Sequence, residues 1–123
     1  MTSDVVTEPR AGYLLAVVTG PRTRQSVVHA AERILEECAR QGATRLMVNV
    51  RAMTGGLTPT DAFEVAAHQF PELLRNRAGL RVAILDLAEN RERFEFFDTV
   101  ASNRGLNLRF FDEIEKAERW LED

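Results

Sequence analysis

Arg51, Thr54, Gly55, Gly56 and Thr58 fall within one short connection, Val48-Asn49-Val50-Arg51-Ala52-Met53-Thr54-Gly55-Gly56-Leu57-Thr58-Pro59-Thr60-Asp61. Hydroxyls, a guanidinium and a glycine pair after an apolar run are residue types that α/β proteins use around phosphate. A phosphate on one of these threonines would add about −1.5 to −2 charge at neutral pH. Arg51 and the positive end of the following helix would both favour it. These five residues form the candidate regulatory loop. Thr58 also has a structural reading, because Thr58 as N-cap, Pro59 at the first helical position and Asp61 in the first turn are the signals that start a helix.

Two further stretches fall beyond the ends of expected strands, where open α/β sheets collect ligands. Thr19-Gly20-Pro21-Arg22-Thr23 reads first as a structural turn, with an anion site as the alternative. It lacks the glycine spacing and lysine of a P-loop and the GxGxxG of dinucleotide sites. Asp86-Leu87-Ala88-Glu89 invites comparison with a phosphorylated receiver aspartate. The acidic pair such a site needs for magnesium is missing after the first parallel strand, so Asp86 is expected to cap the turn into the next helix.

His29 and His68 have no companion ligand at metal spacing, and Ser3, Ser26 and Ser102 stand in no nucleophile elbow. Glu113, Glu115, Glu118 and Glu122 read as a solvated helix face. The single cysteine, Cys38, cannot form an internal disulfide and shares a helical apolar stripe with Ala31 and Ile34. No catalytic set, metal or cofactor is expected.

The elements that must position these residues follow from hydrophobic periodicity. Val5-Val6 and Tyr13 to Val18 suggest a hairpin turning through Pro9-Arg10-Ala11-Gly12. Apolar residues recurring at three and four from Val27 to Cys38 predict a helix over Thr23 to Gln41 that stops at Gly42. Leu46 to Val50 and Arg81 to Leu85 read as buried strands. Between them a helix from Thr58 is expected to bury Ala62, Phe63, Ala66 and Phe70, with Pro71 kinking or ending it before Leu73 and Leu74. Glu89 to Asn103 turns Phe94, Phe97 and Ala101 to one side, with Phe96 elsewhere. Leu106 to Phe111 is the last strand, and Asp112 is expected to cap a closing helix that buries Ile114, Ala117 and Leu121 beside Trp120.

The resulting order, ββαβαβαβα, predicts an α/β fold: a single-domain mixed, mostly parallel sheet of about five strands covered by about four helices. One domain is expected over residues 1–123, with residues 1–4 disordered. Hydrophobic residues make up 45% of the chain and charged ones 28%, ordinary values for a globular domain. A net charge of −3 does not favour nucleic acid or anionic membrane. The longest apolar run, Tyr13 to Val18, is far short of the ~20 residues of a membrane helix. A cytoplasmic protein without membrane insertion is expected.

The order of elements and several strings together resemble the STAS domain, the sulfate transporter and anti-sigma factor antagonist fold, and within it the stand-alone bacterial antagonist-like proteins. The strings are Arg45-Leu46-Met47-Val48-Asn49-Val50-Arg51, Arg81-Val82-Ala83-Ile84-Leu85, Asn103-Arg104-Gly105, and Phe110-Phe111-Asp112 followed by Ala117 and Trp120-Leu121. The likeness runs from about residue 5 to 122. It implies a non-catalytic regulatory module that docks a protein partner, in the antagonists an anti-sigma kinase. Their phosphorylated hydroxyl lies in an Asp-Ser-Ser/Thr-Gly motif at the position of the Thr54 to Thr58 loop. Here no Asp-Ser precedes Thr54, Asn49 stands where related chains usually have aspartate, and Gly55-Gly56 makes a different loop. The phosphorylation switch is therefore not expected to carry over.

The leading expectation is a protein-interaction module, with a second copy of the chain among the candidate partners. The alternative is a carrier of a small apolar ligand or lipid, similar to the CRAL-TRIO lipid-transfer fold. In that case Phe63, Phe70, Leu73, Leu74 and Phe97 would line an apolar pocket gated at Pro71.

Overall fold

Residues Asp4–Arg10 (β1) and Tyr13–Pro21 (β2) pair antiparallel, with Val5 opposite Val18 and Arg10 opposite Tyr13. The computed structural model describes residues 3–77 and 79–123. The hairpin turn is tighter than the sequence suggests: Ala11 and Gly12 alone make it, and Gly12 takes φ 91°, which a residue with a β-carbon resists. Pro9 stays inside β1, tolerated because β1 is an edge strand and needs no outward amide there. The expected disorder over residues 1–4 does not extend to Ser3 and Asp4. Asp4 opens β1, and buried Ser3 donates its hydroxyl to the Ser26 carbonyl at 3.2 Å. Met1 and Thr2 lie outside the described residues.

Three further long strands, Arg45–Asn49 (β3), Arg81–Leu85 (β5) and Leu108–Phe111 (β6), extend the sheet in the order β1-β2-β3-β5-β6, all parallel to β2. A sixth, two-residue strand, Met53–Thr54 (β4), pairs with the far end of β2. The parallel strands step across the sheet in one direction. The preference for right-handed crossovers then puts every connecting helix on one face. Those helices are Arg24–Gln41 (α1), Pro59–Glu64 (α2), Phe70–Leu74 (α3) and Arg91–Asn103 (α4). Ile114–Glu122 (α5) returns to cover the other face.

Strand alternation sorts the core into two layers. Leu14, Ala16, Val18, Leu46, Val82, Ile84 and Leu108 meet α1 to α4, while Met47, Ala83 and Leu85 meet Ala117 and Leu121 of α5. β3 and β5 are sandwiched on both faces, which explains their unbroken apolar sequence.

Helix ends follow their local signals. Thr23 and Ser26 form a reciprocal capping box at 3.0 Å each way, and Gly42 closes α1 at φ 65°. Two arginines at the start of β3 and β5 hold the end of α5. Arg45 Nε donates to the Leu121 carbonyl at 2.8 Å, and Arg81 donates to the Trp120 carbonyl while lying 4.7 Å above its ring.

Three expectations about the helices change. Pro71 neither ends nor sharply breaks the helix: α2 passes through a wide π turn, Val65–Gln69, straight into α3. In that turn the Phe70 amide bonds to the Val65 carbonyl. The added residue accommodates a proline ring that would otherwise press on the carbonyl four residues back. Asp112 does not cap α5; Glu113 is the N-cap, without a side-chain bond, because Asp112 is taken by an ion pair with Arg91. Ile114 lies in the first turn of α5 and stays 38% exposed.

Candidate functional site

The three stretches singled out beyond the strand ends converge, and the residue that joins them is Arg22. Gly20 and Pro21 at the end of β2 pair with Met53 and Thr54 of β4, and the Arg22 amide continues the ladder to the Thr54 carbonyl at 2.8 Å. This brings the guanidinium across the loop. Nη1 donates to the Met53 and Gly55 carbonyls at 3.2 and 2.8 Å. Nη2 donates to the Val50 carbonyl at 3.0 Å and to Asp86 Oδ1 at 2.9 Å. Asp86, 5% exposed, also accepts from the Leu87 amide at 2.7 Å and from Asn90 Nδ2 at 2.9 Å. Asp86 therefore fixes the turn leading into α4, and Arg22 is a clamp for carbonyls. Both terminal nitrogens of Arg22 are fully used within the protein, and the Thr23 hydroxyl is used in the α1 cap, so the turn reading of residues 19–23 accounts for its geometry.

Each residue of the candidate regulatory loop has a definite place. Asn49 Oδ1 accepts from both the Arg51 amide and Arg51 Nε at 3.1 Å, which folds the exposed arginine back on the end of β3. Thr54 is exposed and in β4. Gly55 adopts φ 71°, the left-handed region that lets its carbonyl turn toward Arg22. Gly56 lies directly under the Arg93 guanidinium, where a β-carbon would overlap Nη1. Thr58 accepts the Asp61 amide at 3.1 Å and caps α2. Arg93 is held in turn by Asn90 Oδ1 at 3.2 Å.

Between this loop and α4 lies a groove of about 540 Å³, walled by Gly55, Gly56, Pro59, Arg93 and Phe96, with Arg22 and Asp86 at its base. Phe96 is 43% exposed. Glu89, Glu92 and Arg93 give it a charged rim of both signs.

Of the candidate pocket residues, Phe70, Leu73, Leu74 and Phe97 line a second, apolar cavity of about 140 Å³ between the sheet and α1 and α3. Phe63 does not join them. Ala62, Val65 and Ala66 take the inward line of the helix, and Phe63 turns out, 40% exposed, with its ring edge-on to His68 at 5.8 Å. Of the four residues expected inward on this helix, Ala62, Ala66 and Phe70 are buried and Phe63 is not.

Groups with displaced proton affinity lie elsewhere. Burial pushes the Cys38 thiol up. Burial also raises the Asp98 carboxyl, opposed by the Phe110 amide that donates to it at 3.2 Å. Tyr13 is raised by burial and by its 2.8 Å hydrogen bond to Glu118. The hydrogen bond from Arg91 lowers Asp112, and the same pair raises Arg91. None of the five borders the groove. Among the described residues, no three histidine, cysteine, aspartate or glutamate side chains gather as a metal site, and no helix is long and apolar enough to cross a membrane.

Arg22 and Arg93 are the site residues that sequence reasoning did not single out for these roles, whereas Phe96, read from the sequence as lying off the main helical face, is exposed beside them. The signal for Arg22 is slight: an arginine directly after a strand-ending Gly-Pro, matched only in space by Asp86.

No protein-family model matches the chain, and no curated protein does. Among solved structures, the chain is similar to an uncharacterized protein from the DUF3478 family with a SpoIIAA-like fold, from Shewanella loihica PV-4. The TM-score is 0.56 at 20% identity, covering 98% of this chain and 93% of that one. The chain thus has the SpoIIAA-like fold, that of the anti-sigma factor antagonists resembled by its sequence.

Proposed function

We propose that the chain is a non-catalytic docking module that receives a protein partner in the groove between the β4–α2 loop and α4. The observation that carries this is a preorganised surface: one largely buried guanidinium fixes the backbone of the loop from Val50 to Gly55, and an exposed aromatic, Phe96, stands beside it. Rigid backbone lowers the ordering cost of association, and aromatic side chains, phenylalanine among them, are enriched at protein interfaces. The SpoIIAA-like fold supports the reading at the level of architecture, since the antagonists that share it act by docking. Regulation by a phosphorylated threonine forms no part of the proposal, because Thr58 is engaged as a cap and no Asp-Ser motif precedes Thr54.

The test compares tagged wild-type protein with Phe96→Ser recovered from the native host. Loss of an interface aromatic at about 2 kcal/mol corresponds to roughly 30-fold weaker association. A specific protein recovered with wild type should therefore vanish with the variant while both melt at the same temperature. Equal recovery with both would refute the proposed surface.

A further inference from the structure

We infer that the cavity between the sheet and helices α1 and α3 is a binding site for one small, uncharged, apolar molecule of about the size of benzene. Its volume is about 140 Å³. Protein interiors are packed so that few voids exceed a water molecule, and a water needs only about 10–15 Å³ of such volume. The space is therefore roughly ten times what a single water needs. Water is a poor occupant, because it needs two to four polar partners, and the walls are apolar: Ala31 and Ile34 from α1, Leu73 from α3, Val82 and Ile84 from the sheet, Phe97 from α4. An apolar cavity of about 150 Å³ stays dry and accepts benzene, which sets the scale of the ligand.

The chemical class follows from the polar end. Arg22 and Asp86 are the ionisable side chains among the residues lining the cavity. They are joined at 2.9 Å. Arg22 Nη1 and Nη2 each donate twice to protein acceptors, and Asp86 Oδ1 receives three donors. The two charges balance each other, so the cavity presents no counter-charge to a carboxylate or an amine, and an ion entering it would lose its hydration uncompensated. The volume excludes a long acyl chain, so the geometry selects a neutral ring or short hydrocarbon and separates this site from one built for a fatty acid. Access lies between α1 and α3, where Val27, Ala31, Leu73 and Leu74 are only half-buried, whereas Ile34, Phe70, Val82 and Phe97 deeper in are buried.

The inference stands apart from the docking reading, since Phe96 does not line this cavity and Phe96→Ser leaves it intact. The experiment is a titration of isotope-labelled protein with benzene and, separately, with benzoate, followed by amide chemical shifts and melting temperature. Benzene should give a saturable one-to-one response centred on α1, α3 and β5, with a melting temperature that rises with ligand concentration; benzoate should give neither. Ala31→Leu and Leu73→Phe fill the cavity from opposite walls, and each should keep a cooperative melt while losing the benzene response. Absence of a saturable benzene response, benzoate binding as tightly as benzene, or benzene affinity retained in both filled variants would overturn the inference.

Discussion

Arg22 and Asp86, 64 positions apart in sequence, meet at 2.9 Å with side chains only 12% and 6% exposed. The pair ties the end of β2 to the end of β5. The remaining guanidinium bonds tie both to the β4 loop, so three connections at one end of the sheet behave as a single support. Two desolvated charges attract each other only enough to offset the loss of water when their other hydrogen-bonding positions are filled. Here the Val50, Met53 and Gly55 carbonyls take up the terminal nitrogens of Arg22, and the Leu87 amide and Asn90 join Arg22 at Asp86 Oδ1.

Removing both members should cost less than the two single losses added together. Asp86→Leu or Arg22→Met alone leaves an uncompensated buried charge, a loss of about 3–5 kcal/mol. The double variant should lose clearly less than the sum of the two, as contacting residues do in a mutant cycle. Urea unfolding of the four proteins measures this, and strictly additive losses would show that the pair is not coupled.

The two adjacent glycines should respond differently to the same substitution. Gly55→Ala forces a β-carbon into φ 71°, with an expected loss of about 1–2 kcal/mol. In Gly56→Ala the obstacle is the far end of the flexible Arg93 side chain, which can swing aside. Its stability should change little, and the groove should lose its Arg93 wall. Denaturation midpoints distinguish the two, and equal losses would contradict the assignment.

Asp98 gives a pH dependence whose sign follows from its burial. Burial raises its carboxyl above the unfolded value of 3.8, so the folded state holds the proton more tightly than the unfolded chain. Its contribution is present in full below that value and is lost as pH rises through the higher folded one. Relative to Asp98→Asn, wild type should therefore lose stability as the pH is raised across this window. The comparison with the variant cancels Asp112, whose lowered affinity for its proton acts in the opposite direction. A wild type that gains on the variant with rising pH would show that the Phe110 amide, not burial, dominates.

Much of this architecture was legible because it is written locally. Thr23 and Gly42 bound α1, Thr58 and Pro59 start α2, and the apolar runs of β3 and β5 announce strands covered on both faces. The misreadings come from competition between nearby residues. Asp112 has the composition of a cap but is claimed by Arg91, 21 positions away. Phe63 is expected inward beside Ala62, but the buried line of the helix runs through Ala62, Val65 and Ala66 and leaves the neighbouring phenylalanine outside. The site was legible only in outline: the sequence places residues 19–23, 51–58 and 86–89 at one end of a parallel sheet. That Arg22 would serve the other two stretches depends on strand order, and nothing in the spacing of 22 and 86 encodes it.

The docking reading is tested most directly by a photoreactive amino acid placed at position 96, with a control at position 10 on the distant β1 hairpin, activated in the native host. A covalent adduct to one protein species at Phe96 and none at Arg10 is the predicted result; an adduct of twice the 13.9 kDa chain mass would identify that species as a second copy. Equal labelling at both positions, or no adduct at Phe96, would contradict a partner surface in the groove beside the Arg22 clamp.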